Sequence, residues 1–126
     1  MSFFKSPDQI VAKILEDISG YDEKKQIGQS YLLSGLLKGL GHKPTLIYLE
    51  KIISKDYPSK AKGEKSGRIW LIRAFIENFG RVIELRGMVV VEILLHYMSD
   101  SNEEIRALSK TVAQIFVTKM SSFAIK

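Results

Sequence analysis

A chain of 126 residues, 45% of them hydrophobic, supplies one core, and at this length it buries only about two-thirds of its unfolded surface. The absence of cysteine excludes a disulfide framework and a thiolate metal site. A net charge of +5 is in keeping with an anionic partner, nucleic acid or an acidic protein surface, and equally with plain solubility.

The opening "MSFFKSPDQ" turns polar too early for a secretory leader, so a cytoplasmic chain is expected. Ser6-Pro7 reads as an N-cap with proline in the first turn, and Gly20 ends that segment. Between them Ile10, Ile14, Leu15 and Ile18 recur at helical spacing. A second helix is predicted from Asp22 to Gly41, with Ile27, Tyr31, Leu32, Leu36 and Leu40 as its apolar stripe. A third opens at Pro44 and carries Leu46, Leu49, Ile52 and Ile53. "KDYPSKAKGEKS" (Lys55 to Ser66) is polar, with a proline and a glycine, and reads as a loop. Helix four is predicted over Ser66 to Gly80 and helix five over Val82 to Met98. Within it, the longest apolar run, Met88 to Leu95, is far short of a membrane span and contains Glu92, so no membrane contact is expected. Asn102, with Glu103 and Glu104 in the first turn, starts helix six. No strand series is found, which makes the chain all-α.

Internal periodicity organises these helices. "GQSYLLSGLLKGLG" (Gly28 to Gly41) overlies "GRIWLIRAFIENFG" (Gly67 to Gly80) at an offset of 39 residues. Tyr31 meets Trp70, Gly35 meets Ala74, Leu36 meets Phe75 and Gly41 meets Gly80. At a further offset of about 37, Leu71, Phe75 and Phe79 meet Leu108, Val112 and Phe116. The period predicts a HEAT-type α-α superhelix (solenoid) of three helix pairs, with repeats over approximately 7–41, 44–80 and 82–120. An ordinary six-helix bundle is the competing reading.

Three blocks together resemble one family. "IGQSYLLSGLLKGLG" (Ile27 to Gly41), the helix from Lys65 to Gly80, and "EILLHYMSDSNEEIRALSKTVAQIF" (Glu92 to Phe116) are similar, in order and spacing, to the HEAT-repeat region of the general amino-acid control family. Its members are ribosome-associated activators of the starvation kinase that phosphorylates translation initiation factor two. That region in turn resembles the HEAT portion of the fungal third elongation factor. Leu32, Arg73 and Leu108-Ser109 depart from the family pattern. The resemblance implies a non-catalytic scaffold in the cytoplasm, with the ribosome (rRNA or ribosomal proteins) and proteins of the starvation-kinase pathway as partners. A generic adaptor that binds a partner protein helix is the alternative. Family members are far longer, so three repeats would be a fragment or a reduced relative. Apolar outer faces are then expected on the end helices, with Phe3-Phe4 and the tail "SSFAIK" as partial covers.

Chemistry finds little support in the residues. "SGLLKGLG" (Ser34 to Gly41) is not a phosphate loop, because its lysine precedes Gly39 and no Ser or Thr follows. Gly35 and Gly39, four apart, are expected to let a neighbouring helix approach, as are Gly67 and Ala74, while Gly41 is the C-cap. His42 and His96 have no metal-ligand partner at helical spacing. No cofactor, metal or small-molecule substrate is expected, and no catalytic residue. The candidate contact residues are the basic ones of the Lys55–Arg68 stretch: Lys55, Lys60, Lys62, Lys65 and Arg68, with Lys38 and Lys43 expected at the same edge. Flexible lysines of this kind suit phosphate backbones or an acidic partner, and serve equally as a solvated loop.

Overall fold

The computed structural model describes residues 6–124, with side chains through Phe123, and these residues form α-helices joined by short turns, with no strand among them. The helices are α1 (Pro7–Asp17), α2 (Glu23–Leu40), α3 (His42–Ile53), α4 (Lys62–Asn78), α5 (Gly80–Glu84), α6 (Gly87–Met98) and α7 (Glu103–Ala124), and a single 3-10 turn, Ile18–Gly20, follows α1. No helix among the described residues is long and apolar enough to cross a membrane.

Local chemistry fixes most of the boundaries. Asp22 Oδ1 accepts from the Lys25 amide at 2.8 Å and Asn102 Oδ1 from the Glu104 and Ile105 amides, satisfying donors that a helix start leaves free. Gly41 has φ +104°, a left-handed value suited to glycine, and its amide closes α2 onto Leu37 O. α3 begins two residues before Pro44, which still lies in the first turn, where its missing N–H is not needed. α4 begins at Lys62 rather than Ser66, because Glu64 reaches back to the amides of Lys60 and Ala61 and caps an earlier start. The predicted fifth helix is two, α5 and α6. The Leu85 and Arg86 amides make tight bonds to Val82 O and Ile83 O, and the chain bends there. The bend lets Ile83 and Val90 both reach the core.

α4 is the central element. Ser66 to Leu71 and Ile72, Ala74, Phe75 and Ile76 are all buried, so this helix is covered on nearly every side. α2 flanks it on one side and α7 on the other. The three run parallel: Gln26 reaches the start of α4 while Tyr31 and Ser34 meet Glu77 and Asn78 at its end, and Lys65 meets Asp100 just before α7. α1 packs on α2, α6 on α7, and α3 bridges α2 and α4.

α2 departs from its predicted stripe. Its buried residues are Gln26, Ser30, Leu33, Ser34 and Leu37, whereas Leu32 is exposed. "YLLSGLL" offers leucines on two faces, so periodicity does not orient the helix. The α2–α4 contact does, through polar pairs. Gln26 donates to Gly63 O and Ile18 O at 3.0 Å and accepts from Ser66 Oγ at 2.8 Å, and Asn78 Nδ2 donates to Ser34 Oγ at 2.8 Å.

The packing expectation for Gly35 and Gly39 is overturned. Both are exposed, and a Cβ on either would meet no atom within 4 Å. The close approaches occur on α4 instead. A Cβ on Gly67 would lie 3.3 Å from Gln26 Nε2 and from Ile18 Cγ2, and Ala74 is fully buried. Gly63, which sequence reasoning missed, is tighter still: a Cβ there would sit 2.1 Å from Ser19 O. Phe3-Phe4 lies outside the described residues. Phe123 of the tail packs beside Gly80, where a Cβ would come within 2.8 Å of its ring, and Arg81 lies 4.0 Å from the ring centroid.

Candidate functional site

The seven basic residues do not form one patch. Lys38 and Lys43 flank the α2–α3 turn, whereas Lys55 and Lys60 follow the other end of α3, a helix of 12 residues and so about 18 Å long. The expectation of a shared edge fails because α3 runs antiparallel to α4 and sets the two turns at opposite ends of the layer.

Three of the seven have partners within the chain, and two of these, Lys65 and Arg68, are withdrawn from solvent while Lys62 stays exposed. Lys62 forms an ion pair with Glu104 at the start of α7. Lys65 donates to Asp100 Oδ1 at 2.6 Å, with side chains only 17% and 10% exposed. The Lys65 hydrogen bond, followed by one from the Asn102 amide, holds the Asp100 carboxyl below its ordinary value. Arg68 is 7% exposed and is not a surface contact at all. Its Nε donates to Ile52 O at 2.7 Å, Nη2 to Ser54 O at 2.8 Å and Nη1 to the Tyr97 hydroxyl at 3.1 Å. The guanidinium thus closes the C-terminus of α3 with its planar fork of donors and ties α3, α4 and α6 together. Lys38, Lys43, Lys55 and Lys60 are exposed and have no ion-pair partner among the described residues.

The Lys65–Asp100 contact has a counterpart 39 residues earlier in the chain. Gln26 precedes Lys65 by the same 39 residues that separate Gly28 from Gly67. Each reaches forward from its own helix to the N-terminal end of the next long helix, Gln26 to Gly63 and Ser66, Lys65 to Asp100. Arg106 completes the second junction by donating to Asp100 O and Ser101 O.

Several depressions mark the surface, and two regions hold the larger ones. A cleft of 460 Å³ opens between α1, α3 and the segment before α4, lined by Glu16, Tyr48, Lys51, Asp56, Tyr57 and Glu64. Two of its polar groups, Glu64 and Tyr57, have internal tasks. The Ala61 and Lys60 amides hold the Glu64 carboxyl below its usual range. Tyr57 lies 5.0 Å from the Arg68 guanidinium, and burial pushes its hydroxyl up to about 12. The second region is a seam along α6 and α7, two adjoining hollows of 650 Å³ and 490 Å³ that share Val91, Phe116 and Val117. Met88, Leu95 and Val117 stand 80%, 55% and 59% exposed along it. Sequence reasoning named end helices as apolar but assigned no site here, since Met88 and Leu95 belong to a run that reads as core.

His42 and His96 are both exposed, and no three of His, Asp or Glu gather as a metal-binding group among the described residues. Comparison with known proteins gives no match: no family model, no curated protein and no solved structure corresponds to this chain.

Proposed function

We propose that the chain is a non-catalytic scaffold of HEAT type that works by recognising a macromolecular surface. The observation that carries this reading is the repeated junction: Gln26 and Lys65, equivalent by the offset, each fasten one long helix to the start of the next. In stacked helix pairs, stability comes from such nearest-neighbour contacts. α1 with α2, α3 with α4, and α6 with α7 would be the three pairs, and α2, α4 and α7 the shared layer.

The partner implied by the family resemblance is the ribosome, in support of starvation-kinase activation. Its support is narrower than the basic stretch suggested. Lys38, Lys43, Lys55 and Lys60 remain as exposed, unpaired cations among the described residues, while Lys62 is exposed but paired with Glu104, and Lys65 and Arg68 have structural tasks. Co-sedimentation with ribosomes across a salt series tests it. Four phosphate contacts give a slope of log K against log salt of about −3, and reversing all four lysines to glutamate abolishes pelleting. Binding that ignores salt, or that survives the reversal, refutes ribosome docking and leaves the generic protein adaptor.

A further inference from the structure

We propose that the α6–α7 face is the surface through which two copies of this chain associate about a two-fold axis. Four of the exposed large hydrophobic residues among those described, Met88, Val91, Leu95 and Val117, line this one seam. Nothing among the described residues covers it. A continuous apolar seam of this kind marks an interaction surface rather than scattered surface leucines.

The charges at its rim identify the partner. Glu92 borders the hollow that holds Met88 and Met120, and Lys110 borders the hollow that holds Leu95 and Met98. Both are exposed, and neither has an ion-pair partner among the described residues. Helical side chains lean toward their own N-terminus, and α6 and α7 are antiparallel, as the Ser109 to Leu94 O bond and the Gly87–Phe116 contact require. The two head groups therefore diverge toward opposite ends of the seam. A partner of one charge sign would leave one of them facing a like charge or nothing. A second copy matches both. A two-fold axis lying in the face, midway between Glu92 and Lys110, sets Glu92 of each copy against Lys110 of the other, with Val91 and Val117 between them. An isologous contact of this kind forms each ion pair twice, so any rim change acts twice.

Sedimentation velocity and light scattering on the whole chain, up to about 200 µM, test it. A dimer mass that rises with concentration is expected. Val117→Asp makes the protein monomeric while leaving its circular dichroism unchanged, and its melting matches wild type at concentrations too dilute for the dimer, since Val117 is largely exposed. Glu92→Lys and Lys110→Glu each weaken association roughly tenfold or more, because each sets like charges together at two places. The double reversal, Glu92→Lys with Lys110→Glu, restores association to within about threefold of wild type. A monomer at every concentration overturns the proposal. So does a dimer that tolerates Val117→Asp, a double reversal no better than its single parts, or a monomer whose seam takes up an amphipathic peptide instead. None of these outcomes depends on ribosome binding, so either reading can fail alone.

Discussion

Arg68→Ala is the sharpest test of how the basic stretch is used. The change removes the donors to Ile52 O and Ser54 O and one of the two partners of the Tyr97 hydroxyl, which keeps Ser59. Each carbonyl left unsatisfied in a buried position costs about 1–3 kcal/mol. Loss of the guanidinium also leaves a cavity between α3 and α4 and removes the face against which Tyr57 packs. In the other direction, the desolvation that the buried cation suffered in the native protein disappears, which recovers part of the loss. A net destabilisation of about 3 kcal/mol follows, in the range seen when one member of a buried charged arrangement is removed. For a chain of this size each kcal/mol moves Tm by about 3–5 °C, so a fall of about 10–15 °C is expected in a thermal melt followed by circular dichroism. Arg68→Lys, whose single ammonium can serve one carbonyl, falls between the two. Ribosome pelleting at a temperature where both proteins are folded should not change. A Tm within about 3 °C of wild type, or loss of partner binding at full stability, refutes the structural role.

Gly35→Ala should stabilise by about 0.8–1 kcal/mol, since the site is mid-helix, exposed and open, and Gly39→Ala, equally open but in the last turn of α2, by less. A lowered Tm for either would restore the close-packing role that the structure denies them. Gly63→Ala should behave oppositely, destabilising by 2 kcal/mol or roughly more, because its Cβ collides with backbone at Ser19 O and no side chain can move aside. Chemical denaturation of the pair of variants separates the two cases. Asp100 should make stability fall at acid pH. Its carboxyl lies below its ordinary value of 3.8 in the folded state, so its contribution is present above that value and is lost as pH falls through the lowered one. Asp100→Asn should therefore be less stable than wild type at pH 7, with the two melting curves converging below about pH 4. A constant difference from pH 7 to pH 3 would show that the Lys65 contact contributes nothing through charge.

The helices were largely legible because their punctuation is local. Ser6-Pro7, Asp22, Gly41 and Asn102 act on amides within a few residues, and each marks the boundary it promised. Of the boundaries that moved, two did so for reasons that are also local but weaker. Glu64 caps α4 four residues early, and the bend after Glu84 interrupts a run whose apolar character continues unbroken. The candidate site was legible only as composition. A count of lysines in "KDYPSKAKGEKS" cannot tell Lys60, which is free among the described residues, from Lys65, which lies against Asp100 from another helix pair.

Sequence alone determined that the chain is helical and where most helices start and stop, since propensity, capping and periodicity operate within one or two turns. Tertiary structure decided which face of each helix is inside and which charges are spent. α2 carries leucines on two sides, and only its polar contacts with α4 choose Ser30, Ser34 and Gln26 as the buried set. Arg68 and Lys65 look like surface cations until α3, α6 and α7 bring carbonyls, a tyrosine and an aspartate to them. The glycines show the same division: Gly35 and Gly39 face water while Gly63 and Gly67 take the close contacts, because the room for a Cβ depends on a neighbouring backbone far away in the chain.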